Sequence, residues 1–146
     1  MIKSPDVLVP VDFSPCAANA VRVAVGVAEP DGDLTLLHVI DQSIVTAATA
    51  AALGTEEEVT ARLRENAEAS FASMLEGLDT KGISVERMIV FGEPFIEILK
   101  IARDLDLPLI VMGMRGRSTP SQTVLLGSTA ERVLCGAHVP VLCVPC

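Results

Sequence analysis

Positive charge is in short supply in this chain. Eleven Lys and Arg residues stand against nineteen Asp and Glu, giving a net charge of −8 and an isoelectric point near 4.6. The lack of a basic surplus to neutralise a phosphate backbone argues against nucleic acid as a general partner. No apolar run approaches the roughly 20 residues needed to span a bilayer. The opening Met1-Ile2-Lys3-Ser4-Pro5-Asp6 lacks the build of a signal peptide. The expectation is a cytoplasmic protein with no membrane partner. Internal repeats are absent, and no local Ser-His-Asp or Cys-His signature of a nucleophilic enzyme occurs. Of the four cysteines, Cys143 and Cys146 have redox or zinc-knuckle spacing, but no second pair completes a site. They are read as a core residue and a frayed terminal thiol.

What the chain does have is apolar residues, half of its 146 positions. That length suits one domain covering 1–146. Asp6 to Val11 is a short apolar run and so a buried strand. Ser14 and Pro15 suit the cap and first position of a helix, and Ala17, Val21, Ala24, Val25 and Ala28 recur at helical spacing. Pro30 to Asp33 is a turn, and Leu34 to Val39 a second strand. The stretch 41–55, with five alanines between Ala47 and Ala52, has weak periodicity and reads as a loop or poorly fixed short helix. Val59, Leu63, Ala67, Phe71, Met74, Leu75 and Leu78 mark a long amphipathic helix from Glu56, closed by Lys81-Gly82. A third strand lies within Ile83–Phe91. Pro94 opens a helix with Phe95, Ile98, Leu99, Ala102 and Leu105 on one face. Leu109 to Met112 is a fourth strand. A last helix runs from about Gly127 to Cys135 with Gly136 as its cap, and Val139 to Val144 is the fifth strand.

Strands alternating with helices imply an α/β fold, with a parallel sheet covered on both faces. The order expected is 3-2-1-4-5, doubly wound and Rossmann-like. In such a sheet the ligand lies outside the carboxyl ends of the strands, where the winding reverses. With strands one and four at that point, Asp12 and Gly113 face one crevice, and Val39 ends the neighbouring strand.

One stretch organises the rest. Leu109-Ile-Val-Met-Gly-Met-Arg-Gly-Arg117 continues to Leu126-Gly-Ser-Thr129. It reads as a buried strand, a loop of glycine and arginine, and a helix start. Backbone N–H groups and the positive helix end make such a segment an anion site, most often for phosphate. Arg115 and Arg117 flank Gly116, and Ser118, Thr119, Ser121, Ser128 and Thr129 supply hydroxyls. No lysine follows the glycines, which argues against a P-loop ATPase. His38, within an apolar strand, reads as a satisfied core histidine, and Glu56-Glu-Glu58 as carboxylates complementing a helix dipole.

These residues carry a resemblance over essentially the whole chain. Val9-Pro-Val-Asp-Phe-Ser-Pro15, Leu37-His-Val39, Gly92-Glu-Pro94, Ile110-Val-Met-Gly113 and Val139-Pro-Val-Leu-Cys-Val144 resemble the nucleotide-binding universal stress proteins. The resemblance implies ATP (or ADP or AMP) as ligand, Mg²⁺ or Mn²⁺ beside it, and a homodimer. That family's motif is a glycine, two residues, a glycine, nine residues, then Gly-Ser or Gly-Thr. Gly113-Met-Arg-Gly116 fits its first half, while ten residues, Arg117 to Leu126, separate it from Gly127-Ser128. The extra residue and Pro120 are expected to make the loop bulge. By the same resemblance Asp12 meets the adenine-ribose side, with Pro10 and Val11 lining the pocket. The Val39 backbone meets the adenine edge, and Met112 and Gly113 lie along the ribose. Arg115 and Gly116 lie near the phosphates, and Gly127, Ser128 and Thr129 close the cradle.

Three functions remain open at this point. The first is a nucleotide-binding sensor or switch in stress response with slow or no hydrolysis, since no residue is placed as a base for water. The second is a phosphohydrolase or nucleotidyl transferase with Asp12 as metal carboxylate. The third is a nucleotide-free dimeric interaction protein. Independently of the resemblance, an apolar last strand at a sheet edge invites pairing with a second copy through 139–144. The segment 41–55, following Val39, is expected to act as a flap.

Overall fold

The apolar runs become the five strands of one sheet. The computed structural model describes residues 3–116 and 125–146. The elements follow as β1 (Val7–Pro10), α1 (Pro15–Ala28), β2 (Leu34–Asp41), α2 (Gln42–Ala50), α3 (Glu56–Glu76), β3 (Val85–Gly92), α4 (Pro94–Asp104), β4 (Leu109–Gly113), α5 (Ser128–Gly136) and β5 (Val141–Val144). The sheet order is β3-β2-β1-β4-β5 and every pairing is parallel. This is the expected 3-2-1-4-5 α/β arrangement. The winding reverses between β1 and β4, which pair through Val7 with Leu109 and Leu8 with Ile110.

Strand residues alternate between two cores. Val7, Val9, Leu34, Leu36 and Val111 point to the face covered by α1 and α3, where they meet Ala17, Ala20, Ala24 and Phe71. Leu8, Leu37, Ile110 and Met112 point to the other face, against Ile98 and Ala102 of α4 and Ala130 and Val133 of α5. Both faces are thus dry, which is why β1 has no exposed residue. The alanine stripe of α1 brings that helix close to β4. An added Cβ at Gly113 would lie 2.9 Å from the Cys16 Cβ, so the strand end and the helix start fit only with glycine there.

Several expected boundaries move, for local reasons. Of the two readings of 41–55, the short helix is the one found, over Gln42–Ala50, and it is fixed at both its cap and its buried face. The Asp41 side chain accepts from the Ser43 N–H at 2.9 Å and caps α2, alanine favours the helix, and Val45 anchors it, buried at 1 % exposure. A capping box between Thr55 and Glu58 then starts α3. That helix stops at Glu76, capped by Gly77, rather than at Lys81-Gly82. There Lys81 and Gly82 hold left-handed backbone with φ of 55° and 79°, a turn before β3. Gly136 is the last residue of α5 and Ala137 its cap. Strand β5 begins at Val141, two residues after the expected start. Cys146 is not a frayed thiol: it is disulfide-bonded to Cys16, with Cα atoms 4.3 Å apart. Among the described residues no helix is long and apolar enough to cross a membrane.

Candidate functional site

The carboxyl ends of β1, β2 and β4 and the start of α5 converge on one cavity of about 600 Å³. At the end of β1 the chain must leave the sheet and enter α1 at once. Asp12 makes the turn: its Oδ1 accepts from the Ser14 N–H at 3.0 Å. Phe13 takes left-handed backbone with φ of 63°, a conformation that normally costs a bulky residue about 1–3 kcal/mol. Its ring is held by His38, at a centroid distance of 4.6 Å, and edge-on by Phe71 at 5.0 Å. Ser14 caps α1 by accepting from the Ala17 N–H at 3.2 Å.

His38 is fixed by the same turn. Its Nδ1 lies 2.8 Å from the Val11 carbonyl oxygen. A carbonyl only accepts, so Nδ1 carries the hydrogen and donates it. The histidine is therefore a satisfied member of the wall, joining the ends of β1 and β2.

On the other side the Met114 N–H donates to the Val144 carbonyl at 2.9 Å, and the Met114 carbonyl accepts from the Gly127 N–H at 2.7 Å. These two bonds tie the strand end, the start of α5 and β5 into one unit. Gly127 is the cap residue of α5 and offers no side-chain cap, so the first N–H groups of that helix have no side-chain acceptor in its cap. Gly116 packs against Asp12, where an added Cβ would fall 2.8 Å from Oδ2. The glycine thus lets the loop backbone lie directly on the carboxylate.

Pro10, Val11, Asp12, Val39, Met112, Gly113, Arg115, Gly116, Gly127, Ser128 and Thr129 all border this cavity. The structure brings together the residues that the sequence had singled out. Arg117, Ser118, Thr119, Pro120 and Ser121 lie outside the described residues. The cavity also has walls beyond the predicted site residues. Asp41 and Ile44 come from the start of α2, Leu63, Asn66 and Ser70 from α3, and Glu93, Phe95 and Arg132 from the α4–α5 side. The i, i+3, i+7 spacing of Leu63, Asn66 and Ser70 is the one available signal, and it places them on one helix face. Arg132 bonds Glu93 at 3.4 Å and lies over the Phe95 ring at 5.3 Å. Among the described residues the lining therefore carries two arginines, Arg115 and Arg132, and three carboxylates, Asp12, Asp41 and Glu93. Such a mixed polar rim over an apolar floor suits a ligand with both an apolar plate and an anionic tail.

The profile of the Universal stress protein family matches residues 4–145. The chain belongs to that family. It is 31% identical over 139 residues to universal stress protein MJ0531 of Methanocaldococcus jannaschii, spanning 94% of this chain and 80% of the relative. It is 32% identical to universal stress protein MJ0577 of the same organism, with 94% and 93% covered. The solved structure of MJ0577 superposes with a TM-score of 0.85 at 31% identity, covering 99% of this chain and 98% of that one. Two universal stress proteins in complex with nucleotides share the fold. One, with cAMP, has a TM-score of 0.60 at 22% identity and covers 99% of this chain and 98% of its own. The other, from Archaeoglobus fulgidus with dAMP, has 0.60 at 21% and covers 98% and 99%.

Proposed function

We propose that this universal stress protein is an adenine-nucleotide-binding module that acts as a sensor or switch, with slow or no hydrolysis. One observation carries the reading: β4's glycine end, the glycine-led start of α5 and Asp12 meet at a single cavity at the point where the winding reverses. That is where a doubly wound sheet takes a nucleotide, and the helix start is where phosphate charge is favoured. The cavity volume falls within the range of small-molecule sites, about 300–1,000 Å³. The fold's occurrence in cAMP and dAMP complexes of other universal stress proteins agrees with the ligand class.

In this reading the Val39 backbone meets the base edge, Asp12 with Pro10 and Val11 holds the nucleoside, and Met112 and Gly113 lie along the ribose. Arg115, Gly116, Gly127, Ser128 and Thr129 surround the phosphates. Asp12 also suits a divalent ion, because Mg²⁺ is commonly held by one or two carboxylates together with substrate phosphates. No group of three or more metal-ligating side chains occurs among the described residues, so any ion here leans on the nucleotide. In the same proposal two copies pair along β5.

The test is denaturing extraction of the purified protein followed by identification of the released small molecules, then calorimetric titration with ATP and Mg²⁺. Adenine nucleotide near one per chain, or saturable binding weakened by Asp12→Asn, supports the reading. An empty extract with a flat titration overturns it in favour of a nucleotide-free interaction protein.

A further inference from the structure

The disulfide joins two residues that no motif connects, 130 positions apart. Cys16 sits in the first turn of α1, behind Ser14 and Pro15, and is 5% exposed. Cys146 follows β5 and is exposed. The two cysteines stand directly behind the candidate site. The Cys16 backbone and Cβ touch Gly113 so closely that a Cβ there would lie 2.9 Å from one and 3.0 Å from the other, and Ala17, the next residue, borders the cavity. On the other side Val144, two residues before Cys146, pairs with Gly113 and accepts from the Met114 N–H. Met114 in turn accepts from Gly127 at the head of α5. Two hydrogen bonds therefore separate the residues next to the disulfide from the head of α5.

We propose that Cys16 and Cys146 form a reversible thiol–disulfide site, which exchanges with small-molecule disulfides of the glutathione class and whose state changes the cavity beside it. The coupling to the cavity rests on the nucleotide reading above; the redox site itself does not. The two thiols have different roles. Exposed Cys146 is the attacking group: its thiolate takes one sulfur of glutathione disulfide and releases one glutathione thiolate. Buried Cys16 then resolves the mixed disulfide. Its thiolate attacks the Cys146 Sγ, forms the Sγ–Sγ bond and expels the second glutathione. Two electrons pass to glutathione disulfide, and the two protons of the protein thiols end on two glutathione molecules. In reverse, an external thiolate attacks Cys146, the S–S bond breaks, and Cys16 leaves as a thiolate. A helix N-terminus stabilises a thiolate and so makes Cys16 a ready leaving group. Cys135 and Cys143 remain free thiols and serve as internal controls.

The test equilibrates the whole protein in glutathione buffers of graded ratio, quenches under denaturing conditions with an alkylating agent, and maps the cysteines by mass. Thermal midpoint and ATP–Mg²⁺ affinity are measured at both extremes, with Cys146→Ser beside the wild type. The expected result is a Cys16–Cys146 link at oxidising ratios that disappears at reducing ones, with Cys135 and Cys143 alkylated throughout. Reduction lowers the thermal midpoint by several degrees and changes nucleotide affinity at least threefold, and Cys146→Ser shows neither dependence. Alkylation of Cys16 and Cys146 at every ratio overturns the site. So does a link that persists at reducing ratios, which marks a static staple. Equal affinity in both states overturns the coupling alone. Absence of nucleotide binding in both states overturns the nucleotide reading, while the alkylation map still decides the redox site.

Discussion

Gly113 and Gly116 sit against different neighbours, and their substitutions fail differently. A methyl at Gly113 meets the Cys16 Cβ and backbone, parts of the packed core that cannot swing aside. Gly113→Ala is expected to destabilise the fold by about 1–3 kcal/mol, the usual effect of overpacking, read by chemical denaturation. Among the described residues a methyl at Gly116 meets the Asp12 Oδ2, the end of a side chain at the cavity wall. Gly116→Ala should leave the fold intact and displace the carboxylate, lowering nucleotide affinity by about tenfold, or 1.4 kcal/mol, in the ATP–Mg²⁺ titration. Ser14 provides the reference for a purely local loss. It is 6% exposed and accepts only for the helix start, so Ser14→Ala should reduce stability by about 1 kcal/mol.

At the scale of elements, α2 and the start of α3 form the wall next to Val39, through Asp41, Ile44 and Leu63. Short helix α2 has one buried residue, Val45, so little holds it closed. Amide exchange across 42–50 should slow on adding ATP and Mg²⁺ if this pair closes over the ligand, and unchanged exchange would remove the flap. The same elements mark the limit of what the sequence conveys. Strands and outer helices were readable because β1, β2 and β4 are continuous apolar runs and α1 and α4 repeat apolar residues at helical spacing. Helix α2 was only half legible, as either a loop or a short helix, because alanine satisfies neither the apolar nor the polar side of a pattern. The cavity residues at strand ends and at the head of α5 were legible from topology and glycine spacing. Asn66 and Ser70 were not, since a polar residue on α3 looks like any solvated helix face. Nor was Cys16–Cys146, because pairing across the whole chain depends on how α1 and β5 pack against β4.

For the whole molecule the two sheet edges differ. The β3 edge carries exposed Glu86 and Arg87, charges that discourage pairing with another chain. The β5 edge is Val141-Leu-Cys-Val144, with Leu142 at 41% exposure. We therefore propose β5 as the contact between copies. Sedimentation at micromolar concentration should give a dimer, and Leu142→Lys should give a folded monomer. A monomeric wild type would discard the contact.

The bond from Gly127 to Met114 has a consequence for how this family's sequences can drift. It ties the head of α5 to the end of β4 directly, and a change of length between the two is expected to leave that contact in place. Closing a loop that is one residue longer costs only about 0.1 kcal/mol in chain entropy. On this argument the contact between Met114 and Gly127 constrains the helix head more than the spacing between the glycines does.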